Sequence, residues 1–376
     1  MKKIFDSDVL LVPDWSTLKE DPWTPNTGVV FCDLHDKNGP LAYSPRDLLK
    51  RIASEVKNKT GYTYKTGAEM EFFLLPMKDG KPVFEFSDMD YYFAPESDKM
   101  MAIYSDIKSA LQSLGVSVEA FHHEVAPGQY EVSFTFDDAL KNADNIQTVK
   151  KTLKRIAKSY DLYATFMPKP FFGVNGSGMH VHQSLSKSED NAFAKGSELS
   201  DIALQFIAGQ VKHARGLAAA IAPTVNSYKR LVPGYEAPVY ACWSRTNRSA
   251  MIREPERKGN PKAARIELRC PDPSSNPYVA FSAMLVAGMD GIKDNLHVDP
   301  IDSTNIYHLS KSERRDKGIV ELPCSLAEAV TEMENDKVIM DAFGDFGDKY
   351  LETLAKDAEE YRLAVTEWER EKYHTR

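Results

Sequence analysis

The sequence predicts an α+β fold with a largely antiparallel sheet, and three observations point there. Short segments of strand character alternate with helical ones, without the regular strand–helix–strand beat of a parallel sheet. Gly/Pro turns such as Pro127-Gly128 and Pro233-Gly234 separate most of the strands. At 376 residues, with 42% hydrophobic and 27% charged residues, the chain has enough apolar material for a sizeable core. No internal repeat or low-complexity tract interrupts it.

Taken in order, Thr27–Cys32 reads as a first strand. Ser44-Pro45-Arg46-Asp47 then supplies an N-cap, a proline at the first helical position and an acid in the first turn. Leu48, Leu49, Ile52 and Val56 follow at helical spacing and Gly61 closes the run. Lys65–Leu75 is a strand. Ser97 or Asp98 opens a helix through Leu114, stopped by Gly115. Val116–His122 and Tyr130–Phe136 are strands, Ala139–Tyr160 a helix, Gly178–Leu185 a strand and Ser200–Ile221 a helix. Arg265–Cys270 is the last strand, Asn276-Pro277 opens another helix, and two more helices fill the acidic C-terminal third, with a helical part over about 325–376.

Composition excludes several functions. A net charge of −8 and a pI near 5.7 argue against a general nucleic-acid binder, which neutralises phosphates with a basic surface. Cys32, Cys242, Cys270 and Cys324 lack the close spacing of a zinc site or redox pair, and a reduced, cytoplasmic setting fits them. Asp6, Asp8, Pro13 and Asp14 interrupt the N-terminal apolar stretch, and the run Tyr278–Met289 is too short to span a bilayer. Neither a targeting nor a membrane segment is expected.

The informative anomaly is charge inside segments that otherwise read as core strands. Alternate residues of a strand share a face, so Glu69 and Glu71 lie on one side, with Met70, Phe72 and Leu74 on the other. Arg265, Glu267 and Arg269 likewise oppose Ile266, Leu268 and Cys270. Glu124 and Glu131 flank a turn that can fold them towards one point. Asn175-Gly176-Ser177-Gly178 allows close backbone approach to a ligand, and His180 and His182 follow on one strand face. Taken alone, the Glu69/Glu71, Glu124/Glu131 and His180/His182 segments each read as a solvated face or an ordinary turn. The Arg265–Cys270 segment reads equally as a ladder of surface ion pairs or as part of a site. Together, oxygen-rich ligation with at most one imidazole per ion suits Mg²⁺ or Mn²⁺ better than zinc. Lys229, Arg230, Arg248, Arg253 and Arg269 add donors suited to carboxylate or phosphate.

Six ordered motifs then carry a resemblance. They are Glu69-Met-Glu71-Phe-Phe, His123-Glu124-Val-Ala-Pro-Gly-Gln, Asn175-Gly-Ser-Gly-Met-His180, Asn226-Ser-Tyr-Lys-Arg-Leu-Val-Pro-Gly-Tyr-Glu236, Asn247-Arg-Ser-Ala-Met-Ile-Arg253 and Arg265-Ile-Glu-Leu-Arg269. The chain resembles a bacterial or archaeal type I glutamine synthetase from about Asp6 to the C-terminal helices. The resemblance implies that family's catalytic domain over 1–376, with a curved, largely antiparallel sheet flanked by helices. It implies ATP-dependent formation of glutamine from glutamate and ammonia through a γ-glutamyl phosphate. Glu71, Glu124 and Glu131 then resemble ligands of the metal nearer glutamate, and Glu69, His180 and Glu267 those of the metal on the ATP phosphates. Asn175, Gly176, Arg230 and Arg269 match glutamate-binding positions. Arg248 and Arg253 match the arginines on the transferring phosphoryl group, and Glu236 matches the mobile-flap glutamate. His182, Ser184 and Lys262 fall at nucleotide-contacting positions.

Two departures bear on the acceptor. The family's β-grasp domain, which lends an aspartate to the neighbouring subunit's ammonium site, precedes the segment at which this chain starts. A truncated start, a separate β-grasp partner chain or a different acceptor amine, such as a methylamine or polyamine, would each account for this. Aligning Ala94-Pro95 also puts Asp90, or with a one-residue shift Tyr91, where the family often has an ammonium-site tyrosine. A non-catalytic relative is the rival from another class. The resemblance implies a homo-oligomer, smaller or less stable than the family's stacked rings. Tyr307, which weakly resembles the family's modified tyrosine, is expected to be an ordinary surface residue.

Overall fold

In the computed structural model, residues 8–84, 98–188, 190–257, 259–302 and 306–375 are described. Asp90 and Tyr91 lie outside them. Among the described residues the largest sheet has ten strands. Its main path runs Trp243–Ser244, Ile252–Arg253, Ile266–Leu268, Met179–Lys187, Tyr62–Lys78, Gln129–Asp138, Val118–His123. Only the first of these neighbouring pairs is parallel; the others are antiparallel. The long strand Tyr62–Lys78 is the spine, paired on both flanks.

Alternation on that spine decides which side is core. Met70 and Phe72 are fully buried, as are Val132, Met179, Val181, Ile266 and Leu268 on its neighbours. Against this apolar face pack helices whose ends follow their capping residues. Ser44 accepts from the Asp47 amide and Gly61, at φ 79°, closes the helix Pro45–Thr60. Asn276 caps Pro277–Lys293 in the same way. The helix Ala139–Ser159 contributes Ile146, Val149 and Leu153 to the same core.

Three elements differ from the sequence reading. Thr27–Cys32 is not one strand but Gly28–Val29 and a separate Cys32–Asp36. Between them the Phe31 amide donates to Thr17 Oγ1 and its carbonyl accepts from Asp14 N, which diverts the chain. Ser200–Ile221 divides into Asp201–Lys212 and Ala214–Ile221. The break falls at His213, whose ring is held between Asp336 at 2.7 Å and Asp290 at 2.9 Å. Past Ser325 the chain forms Leu326–Asn335, Lys337–Phe343, Asp345–Leu363 and Glu367–Tyr373 rather than two helices, because Asp336 starts a new N-cap and Gly344 turns to φ 56°.

Ahead of the main body, Leu10–Pro13, Cys32–Asp36 and Gly39–Pro40 form a small separate sheet. Arg46 ties it down. Its guanidinium pairs with Asp14 and Asp33 of that segment and with Asp144 on the helix Ala139–Ser159. No helix among the described residues is long and apolar enough to cross a membrane.

Arg46→Met would leave Asp14 and Asp144 without their counter-charge, Asp33 keeping Lys50, and breaking such a pair typically costs about 3–5 kcal/mol. A urea midpoint lowered accordingly is the expected result. Ser16 and Arg46 hold the Asp14 carboxyl down at about 2. Its stabilising contribution is therefore present above its ordinary value of 3.8 and is lost as pH falls towards 2.

Candidate functional site

Strand register, rather than closeness in sequence, gathers the acids. Three rungs cross the sheet on the face opposite the core, stepping by two residues along the spine. Gly67 lies opposite His182, which lies opposite Glu267, which lies opposite Arg253. Glu69 sits between Ser133 and His180. Glu71 lies opposite Glu131, and Glu131 opposite His122. Glu124 joins from the turn after Val118–His123, its carboxylate 2.9 Å from His122 Nε2.

These carboxylates differ in how they are balanced. Glu267 is fully buried, 2.6 Å from both Arg253 and Arg269. Burial would raise its carboxyl, but Arg269, His180 and His182 hold it at about 2. Glu69 is also held low: burial acts upwards and is outweighed by His180 at 3.3 Å and His182 at 2.8 Å. Glu71 accepts from the Gly178 amide at 2.8 Å and Gln129 Nε2 at 3.0 Å. Burial nevertheless raises its carboxyl, and the Glu124 charge adds to that. Glu131 is pushed up to about 9 by burial and by the charges of Glu69, Glu71 and Glu124.

Among the described residues, donor atoms fall into three overlapping groups, each within 4.8 Å: Glu69, His180 and Glu267; Glu71, Glu131 and His180; His122, Glu124 and Glu131. Each holds two carboxylates and one imidazole. The excess negative charge around Glu131 is what a hard divalent cation would relieve, so these residues fit a metal site. The first group is the one expected from the sequence. The second expected set, Glu71, Glu124 and Glu131, is split between two groups that share Glu131. His122 was not singled out; its register opposite Glu131 brings it in.

A cleft of about 320 Å³ opens above these groups and is lined also by Asn175, Gly176, Arg230, Glu236, Arg248, Arg253 and Arg269. Gly176 and Gly178 allow this closeness. A Cβ on Gly176 would lie 2.2 Å from the Pro168 carbonyl, and one on Gly178 would lie 2.5 Å from Arg230 Nη2. Arg230 is buried, and three of its N–H bonds go to the carbonyls of Arg269, Cys270 and Pro271. Of its five donors, Nε–H and one Nη2–H remain. Glu236 is exposed at the rim with φ 57°, and accepts from Asn175 Nδ2 at 3.4 Å. Tyr307, expected at the surface, is half-buried instead. It packs beneath this rim, its hydroxyl donating to the Ala237 carbonyl at 2.7 Å.

A second cleft of about 270 Å³ adjoins the first, with Glu69 in both walls. It holds the expected His182, Ser184 and Lys262. It also holds two residues given no role from sequence, Phe136 and Arg265. Arg265 Nε donates to His182 Nδ1 at 3.3 Å. Phe136 should face the core by alternation with Val132 and Phe134, yet it is 63% exposed. The register slips between Thr66 and Ala68, where Thr135 and Phe136 together oppose Gly67, and this bulge in its own strand turns Phe136 to the cleft side. A glycine inside a strand was the available signal.

A family model described as glutamine synthetase, catalytic domain, matches residues 42–373. The chain is 47% identical to a glutamine synthetase of Thermotoga maritima, over 99% of this chain and 86% of that protein. It is 46% identical to one of Methanocaldococcus jannaschii, over 98% of this chain and 84% of that protein. Among solved structures, a GmaS–ADP complex superposes with a TM-score of 0.88 at 33% identity, covering 99% of this chain and 87% of that one. GmaS without ligand superposes with a TM-score of 0.86 at 33% identity, covering 100% of this chain and 87% of that one.

Glu131→Gln removes the titrating carboxyl from the crowded acids without changing shape. A folded-state value raised from 4.5 to about 9 means that Glu131's contribution to stability is complete below 4.5 and lost as pH rises through 9. The metal-free wild type should therefore lose melting temperature across that window by a margin that the variant does not show. The variant should also lose most of the melting-temperature rise that Mn²⁺ or Mg²⁺ gives the wild type. Thermal scans with and without metal check both.

Proposed function

The chain belongs to the glutamine synthetase family, and from that premise we propose that it joins ammonia to the γ-carboxylate of glutamate at the expense of ATP. The observation that carries this is 42–47% identity to glutamine synthetases over nearly the whole chain. An organic amine as acceptor is not favoured, since the relatives at 42–47% identity are named glutamine synthetases.

In this reading Asn175, Gly176, Arg269 and the remaining donors of Arg230 orient glutamate. Its γ-carboxylate oxygen attacks the γ-phosphorus of ATP, ADP leaves, and a γ-glutamyl phosphate forms. Arg248 and Arg253 balance charge on the migrating phosphoryl group. His182, Ser184 and Lys262 hold the nucleotide, and its base stacks between the Phe136 ring and the Arg265 guanidinium. Glu69, His180 and Glu267 would hold one Mg²⁺ or Mn²⁺ at the ATP phosphates. Glu71, Glu124 and Glu131, with His122, would hold another nearer glutamate. When bound, such cations draw charge from the phosphates and leave the γ-phosphorus open to attack. Ammonia then attacks the acyl phosphate and inorganic phosphate departs. Glu236 takes a proton from the incoming amine and closes the cleft to water, which would otherwise hydrolyse the intermediate.

A homo-oligomer in the cytoplasm is part of the proposal. Leu10, Leu11 and Trp15 are exposed at the N-terminal sheet, which supports self-association, and all four cysteines are free. A non-catalytic role would leave no reason to bury Glu71 and Glu131 where burial and neighbouring acids raise their carboxyls.

Incubation with glutamate, Mg·ATP and a panel of amines tests the reading. Ammonium should yield glutamine and phosphate in equal amounts. Turnover with methylamine or polyamines but not ammonium would overturn the acceptor, and glutamate-dependent ATP binding without turnover would overturn catalysis.

A further inference from the structure

Lys169 lies outside every role assigned above, and its surroundings are unusual for a lysine. It is only 9% exposed. Asn226 clamps its backbone on both sides, Oδ1 accepting from Lys169 N at 2.8 Å and Nδ2 donating to its carbonyl at 3.0 Å. The ammonium donates to the Val174 carbonyl, next to Asn175. It also stands 3.9 Å from the centre of the Tyr235 ring, next to Glu236. Among the described residues no carboxylate pairs with it. A buried ammonium without a counter-ion depends on what little compensates its lost hydration, here one carbonyl and one aromatic face. Neither loop can leave without exposing the other partner's deficit.

The backbone at Glu236 sharpens the point. A left-handed φ is uncommon outside glycine, and persists where neighbouring contacts over-determine it. Glu236 is fixed on both sides: Tyr307 anchors the Ala237 carbonyl, and Lys169 anchors the Tyr235 ring.

Resting on the glutamine synthetase reading, we propose that Lys169 is a positioning residue that ties the Asn175 loop to the Glu236 loop, so that both close over the acyl phosphate as one unit. Lys169 touches neither substrate nor phosphate. It acts through Tyr235, and its loss opens the cleft to water rather than slowing phosphoryl transfer.

The test compares Lys169→Met, Lys169→Arg, Tyr235→Leu and the Lys169→Met/Tyr235→Leu pair with the wild type. Deuterium exchange of the amides of Leu231, Val232 and Gly234 to Ala237 is read against the buried helix Pro277–Lys293 as an internal control of folding. Loss of one cation–π contact predicts exchange faster by roughly three- to thirtyfold in Lys169→Met and Tyr235→Leu, no further gain in the pair, and recovery in Lys169→Arg. With glutamate, ATP and limiting ammonium, phosphate released per glutamine formed should rise from about one to above about two in Lys169→Met and Tyr235→Leu, with the KM for ATP nearly unchanged. Unchanged exchange, or an unchanged ratio, in either folded variant overturns the proposal; should Lys169→Met fail to fold, Tyr235→Leu carries the test alone. A wild type that makes no glutamine defeats the functional reading instead, while the exchange comparison still decides whether the loops are tied.

Discussion

Everything at this site depends on the hydrogen-bond register of one strand, Tyr62–Lys78. Because its partners are antiparallel on both flanks, each residue facing the cleft has fixed neighbours. Glu69 must meet His180 and Glu71 must meet Glu131. A shift of one residue would send Met70 and Phe72 into the cleft and the acids into the core. The apolar face, with its fully buried side chains, therefore locks the polar face in place. Stability and site geometry share one origin.

That lock holds together groups that repel one another. Glu267 sits stably in the core because two arginines flank it. Glu131 has no such partner and is surrounded by acids. The same sheet thus carries a satisfied buried charge and, two rungs away, a carboxyl whose surroundings oppose its ionisation up to about pH 9. Burying uncompensated carboxylates is unfavourable for a bare protein, and it makes sense where a cation completes the structure. The arrangement pre-pays part of the reorganisation that charge transfer to a phosphoryl group would otherwise demand.

Much of this was legible in the sequence because alternation is a strict rule. Glu69 and Glu71, and the trio Arg265, Glu267 and Arg269, were placed on the right face from spacing alone. What spacing could not show was anything set by a partner strand. His122 matters because of what lies across from it. Phe136 faces the cleft because its strand bulges where it lies opposite Gly67. Arg230 turns most of its donors to backbone carbonyls, a fact of local folding that composition does not encode. The break at His213 is likewise made by two aspartates far along the chain. Helix starts, by contrast, were readable at Ser44 and Asn276, since a cap acts within three residues.

Glu69 belongs to the walls of both clefts and touches a histidine in each direction. A group shared in this way makes occupancy of the two chambers thermodynamically reciprocal. Whatever fills the first alters the field and the hydrogen bonds that greet the second, and by the same factor in either order. Order of addition and cooperativity between the two ligands are thus written into a single side chain.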